Sequence, residues 1–109
     1  MDDTLWRTLL FDFYGELLTE KQRECYDLHY NQDLSLGEIA EQFGSSRQAV
    51  WDNVRRAEAS LRELEAKTGL VARALRRRET LERLEALSAM LPDSPERQAI
   101  LEGLREIAD

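Results

Sequence analysis

The sequence predicts an all-α fold: a helix-turn-helix domain over residues 1–69, led by an amphipathic N-terminal helix and followed by a C-terminal helical arm over residues 70–109. Three observations predict it. Apolar residues recur three and four apart along most of the chain, the period of one helix face. The breaks between these runs carry helix-end chemistry: Ser, Thr or a capping box before a run, Gly or Pro after it. Nowhere do apolar and polar residues alternate as they would on a half-buried strand.

Thr4 is placed to cap a first helix. Leu5, Leu9, Phe13 and Leu17 fall four apart on it, and Trp6, Leu10 and Tyr14 form a second stripe. Together they make a face wider than an ordinary surface helix needs. Two readings stand side by side: a helix deep in its own domain, or one whose face also meets another subunit. Thr19 with Gln22 forms a capping-box pattern that opens a second helix, with Cys25 and Leu28 inside and Tyr26, His29 and Tyr30 nearer the rim. Ser35 with Glu38 is another box and opens a third, with Ile39, Ala40 and Phe43 inward and Gly44 as a left-handed stop. Ser45 or Ser46 caps the fourth helix, with Gln48 placed to complete a box with Ser45. Val50, Val54, Ala57 and Leu61 are its buried stripe, extended by Leu64, and Gly69 ends it. Beyond Gly69, Leu81, Leu84, Leu87 or Ser88, and Leu91 keep helical spacing until Pro92. Ser94 and Pro95 start a last helix with Ile100, Leu104 and Ile107 as its inner stripe. The count is about six helices.

The formal net charge is −7, but it is unevenly placed. Residues 1–46 carry −7, residues 47–78 carry +5 and residues 79–109 carry −5. An anionic partner is therefore expected at the middle of the chain. No apolar run is long enough to span a bilayer, so membrane insertion is not expected. The start "MDDTLWRTLL" is acidic, unlike a secretory signal. The single cysteine, Cys25, fits a reducing cytoplasm and reads as a small buried hydrophobe.

The chemistry of an enzyme is not visible in the sequence. The five glycines, at positions 15, 37, 44, 69 and 103, are isolated and form no phosphate loop. His29 is the only histidine, with no clustered thiols to share a metal, and no serine or cysteine has a credible base beside it. Neither a cofactor nor a metal is expected.

The stretch Leu18 to Leu61, with "LTEKQRE" and "LSLGEIAEQFGSSRQAV", resembles region four of bacterial sigma factors. The words "LFDFYGELLTEKQR" and "DLSLGEIAEQFGSSRQAVWDNVRRAE" are more similar to the YlxM family, small bacterial proteins encoded beside signal-recognition-particle genes. The first of these words discriminates, since sigma factors do not carry it ahead of the fourth region. The resemblance covers about residues 5–65. Trp51 stands where such proteins often show tyrosine, and Cys25 replaces a bulkier apolar residue. The resemblance implies a sigma-region-four-like bundle, a dimer, and an accessory or regulatory role in the signal recognition particle pathway.

If the unit reads nucleic acid, Ser46, Arg47, Gln48, Trp51, Asp52 and Arg55 lie on or near the outer face of its second helix. Arg47 suits guanine and Gln48 adenine, while Asp52 is awkward beside a phosphate though tolerable against cytosine. Arg55, Arg56 and Arg62 suit phosphates. On the arm, Arg73, Arg76 and Arg77 share a helix side and offer a phosphate or RNA contact, or else a solvated face. The expected partners are a second copy of the chain and DNA, or the RNA or protein of the signal recognition particle. The alternative is a protein-protein interaction scaffold that uses the helix-turn-helix only for packing. Homodimerisation is expected from the stripes of the first helix and the leucines of residues 81–91.

Overall fold

In the computed structural model, which describes residues 3–108, six α-helices and no strand occur among the described residues. They are α1 (Asp3–Tyr14), α2 (Glu20–Tyr26), α3 (Leu36–Phe43), α4 (Arg47–Thr68), α5 (Leu70–Ala89) and α6 (Pro95–Ala108). A 3₁₀ turn, Gly15–Leu17, follows α1, and α2 widens into a π-helical turn, Asp27–Asn31. The chain forms two compact units, Met1–Val71 and Ala72–Asp109.

The caps act locally and lie close to the expected positions. Thr19 Oγ1 accepts from the Gln22 amide at 3.2 Å. Ser35 and Glu38 complete a reciprocal capping box. The N-cap of α4 is Ser46, whose Oγ accepts from the Ala49 amide at 3.0 Å, and Gln48 turns to Asp52 instead of completing a box with Ser45. Gly44 and Gly69 end α3 and α4 at φ of 62° and 64°, the left-handed region that a Cβ disfavours. Thr4 does not cap the start of α1: the helix is already formed at Asp3, and the Thr4 carbonyl accepts from the Thr8 hydroxyl within it.

In the first unit, α1, α2 and α3 all pack on α4. Val50, Val54, Ala57 and Leu61 are essentially inaccessible, as the stripe predicts. Cys25, Ile39, Ala40, Val50 and Val54 form one core cluster, rimmed by half-buried Leu28, Leu36, Phe43 and Trp51. Burial pushes the Cys25 thiol up, which suits a packing residue.

Two expectations are corrected here. Tyr26 is not at the rim but fully buried. Its ring stacks on Phe11 at 5.5 Å, and its hydroxyl donates to the Arg7 carbonyl, so α1 covers it. The stripe of α4 is extended by Glu65 and not by Leu64, which is only half-buried. Glu65 Oε1 accepts the Tyr14 hydroxyl at 2.6 Å and the Val71 amide at 3.0 Å. Tyr14 is also hydrogen-bonded to Thr68 Oγ1. A buried carboxylate holding these donors is satisfied, which is why a charged residue can stand on an apolar stripe.

Of the two stripes on α1, the one with Leu10 and Tyr14 is buried, while Leu5, Phe13 and Leu17 are exposed. In the second unit, Ser94 caps α6 by accepting from the Arg97 amide, and Arg97 Nε donates to the Ser88 carbonyl at 3.1 Å. Leu81, Ser88 and Leu104 are buried there, but Leu84, Leu87, Leu91, Ile100 and Ile107 are exposed. The inner stripes expected for α5 and α6 are therefore only partly inner. A helical period marks which residues share a face; it does not supply enough facing surface to cover them.

Candidate nucleic-acid interface

The two helices of the expected DNA-reading motif are α3 and α4, joined by Gly44, Ser45 and Ser46. The left-handed Gly44 turns the chain sharply, and its amide donates to carbonyls of the last turn of α3. Ser46 restarts the helix at once. With the Val50–Leu61 stripe held inward, at about 100° per residue the side carrying Gln48, Asp52 and Arg55 turns away from the core.

Ser46, Arg47, Gln48, Arg55, Arg56 and Arg62 are exposed. Ser46 is occupied as the cap, so its role is to start α4. Arg47 leans back over the first turn of α3: a Cβ added at Gly37 would lie 3.0 Å from its Nε. Asp52 is half-buried and accepts from Gln48 Nε2 at 3.1 Å. Trp51 is half-buried too, one side on the core and its ring edge-on to His29 at 6.3 Å. Arg55 and Arg56 are about 100° apart around the helix and so point to different sides.

A shallow depression of about 220 Å³ opens here, lined by Leu36, Arg47, Gln48 and Trp51. Leu36 is not among the residues expected at the site; its one signal in the sequence is a leucine directly after the Ser35 cap. Beneath the site, His29 Nδ1 is 2.9 Å from the Leu34 carbonyl, and the Arg7 guanidinium lies over the Tyr30 ring at 4.7 Å. Burial and a hydrogen bond to Glu58 push the Tyr30 phenol up to about 12. The His29 ring that meets Trp51 is thus held at the Leu34 carbonyl. At the other edge, backbone and side-chain hydrogen bonds from Ser35 hold the Glu38 carboxyl below its usual range.

On the arm, Arg73, Arg76 and Arg77 are exposed on α5. Arg76 shares a broad groove with Glu79, Glu82 and Arg83, so two acids sit between the bases along it.

A tight left-handed turn between two capped helices, with the second presenting its first turns to solvent, defines a helix-turn-helix protein. Residues 1–106 match the family model described as "Putative helix-turn-helix protein, YlxM / p13 like". The chain belongs to this family, UPF0122. It is 50% identical over 104 residues to a UPF0122 protein of Halalkalibacterium halodurans, covering 95% of each chain. It is 46% identical over 110 residues to one of Thermoanaerobacter sp., covering 98% of this chain and 92% of the other. It is 40% identical over 107 residues to the UPF0122 protein YlxM of Bacillus subtilis, covering 98% and 97%. The described part of the chain has no helix long and apolar enough to cross a membrane.

Proposed function

We propose that this protein is a cytoplasmic, non-enzymatic accessory or regulator of the signal recognition particle pathway that binds nucleic acid through α4 and acts as a homodimer. The observation that carries nucleic-acid binding is the exposure of Arg47, Gln48 and Arg55 at the start of a helix whose opposite side is locked in the core. The pathway is supported by the family resemblance alone. DNA is favoured over RNA and α4 over the arm, because Glu79 and Glu82 accompany the arginines of α5. The dimer is supported by the exposed row Leu5, Phe13 and Leu17, which a twofold axis would use on both subunits.

The basic surplus is small and much of the chain is acidic, so few phosphates are neutralised and binding has a shallow salt slope. The test is a titration of labelled duplex DNA and of signal-recognition-particle RNA at two salt concentrations. Arg47→Ala with Gln48→Ala is expected to abolish DNA binding, while Arg76→Ala with Arg77→Ala leaves it intact. Loss of RNA binding in the second variant alone moves the function to the arm. Light scattering that returns the 12.7 kDa monomer mass at micromolar protein ends the dimer.

The second reading, a protein-docking scaffold, is favoured by one observation: Asp52 puts a carboxylate on the face a duplex would meet. Binding of neither nucleic acid at low salt selects it.

A further inference from the structure

Asp52 is the anomaly of the outer face, and its partner explains it. A carboxylate can only accept hydrogen bonds, so the Gln48 side chain must turn its amide nitrogen toward Asp52. This fixes the amide in one of its two flip states. An Asp52 oxygen that takes the N–H anti to the carbonyl leaves Gln48 Oε1 and the syn N–H side by side for a base. An acceptor beside a donor is the pattern that complements adenine, whose N6 amine donates and whose N7 accepts in the major groove. Gln48 also borders the depression floored by Leu36 and Trp51, two apolar side chains on a face that is otherwise polar. The C5 methyl of thymine is the one apolar group that base edges offer in that groove.

We infer that α4 reads an A·T step in duplex DNA, with Gln48 as the adenine reader, Asp52 as the residue that positions it, and the Leu36–Trp51 depression as the seat of the thymine methyl. The inference rests on the proposal that α4 binds DNA. Asp52 then works against affinity and for selectivity. Its charge repels the phosphates, and its oxygen prevents the Gln48 amide from flipping to suit other bases.

The test selects duplexes from a randomised pool with wild-type protein at low salt, then compares Gln48→Ala, Asp52→Ala and Asp52→Asn on the selected sequence and on its A·T-to-G·C variants. Asn loses the charge and can donate as well as accept, so it holds the Gln48 amide less strictly. Wild type is expected to prefer the A·T step by on the order of tenfold or more. Asp52→Asn is expected to bind all duplexes more tightly and to keep only part of that preference. Asp52→Ala is expected to bind more tightly and lose the preference, which a merely electrostatic role would not produce. Replacing the thymine by uracil is expected to weaken wild-type binding about fourfold, the worth of one buried methyl. Salt-dependent binding with no A·T preference, or with a preference and a uracil penalty untouched by Gln48→Ala and Asp52→Ala, overturns the inference and leaves DNA binding standing. No binding to any duplex overturns both.

Discussion

The unit Met1–Val71 and the unit Ala72–Asp109 are built from equally helical sequence, yet they finish their folding to different degrees. The first buries Tyr26, Ile39, Val50, Val54, Leu61 and Val71 almost completely and places a satisfied carboxylate, Glu65, among them. The second buries Leu81, Ser88 and Leu104 and leaves Leu84, Leu87, Leu91, Ile100 and Ile107 exposed. The difference lies in how many helices converge. α4 receives α1, α2 and α3 around it, so its stripe is covered on every side. A unit of about two helices has too little facing surface to cover both stripes. Helical propensity makes the elements; convergence makes a core.

Four measurements test that contrast. The largest is a core truncation. Leu61→Ala is expected to cost roughly 2–5 kcal/mol in a denaturant melt, whereas Leu87→Ala is expected to stay within about 0.5 kcal/mol. Similar losses at the two positions would mean that the second unit is better packed than its exposure indicates. Next is the buried carboxylate. Glu65→Ala strands the Val71 amide, takes one of the two partners of the Tyr14 hydroxyl and is expected to cost about 1.5–3 kcal/mol, with faster hydrogen exchange at Val71. Unchanged exchange there would show that α5 needs no anchor from Glu65.

Alkaline pH probes the first unit alone. Burial, aided by the nearby Glu58 charge, pushes the Tyr26 phenol up to about 12, and Tyr30 is raised to about the same value. In the unfolded chain these phenols ionise near 10. Between those values the unfolded chain has lost protons that the folded one keeps, so the stability these two phenols contribute is full below pH about 10 and falls as pH rises toward 12. Melts followed across that window should show the loss, and Tyr26→Phe should flatten it. The smallest contrast is between caps. Ser46→Ala is expected to cost about 1 kcal/mol of global stability, because α4 carries the first unit's core. Ser94→Ala is expected to fray α6 locally with less effect on the main transition, read by circular dichroism at low denaturant.

Much of the fold was legible because its signals are local. The Ser35–Glu38 box, the Ser46 cap and the left-handed Gly44 and Gly69 act within four residues of one another, and the Val50–Leu61 stripe needs only the helical period. At the candidate site, the residues of the outer face could be placed from that same stripe. The pairing of Gln48 with Asp52 was within reach, since four residues separate them on one helix. The lean of Arg47 over Gly37 and the depression beside Leu36 were not, because they depend on how α3 meets α4.

Most helix ends, and the side chains that share a face, follow from the order of residues along the chain. The tertiary structure alone decided which faces are covered. On α1 it chose Leu10 and Tyr14 over Leu5 and Phe13; on α2 it buried Tyr26 beneath Phe11; on α4 it took Glu65 into the core and left Leu64 half out. The physical reason is range. Caps and periods are set by neighbours along the chain, whereas burial is set by residues far apart in sequence, such as Tyr14 and Glu65, that only packing brings to one hydrogen bond.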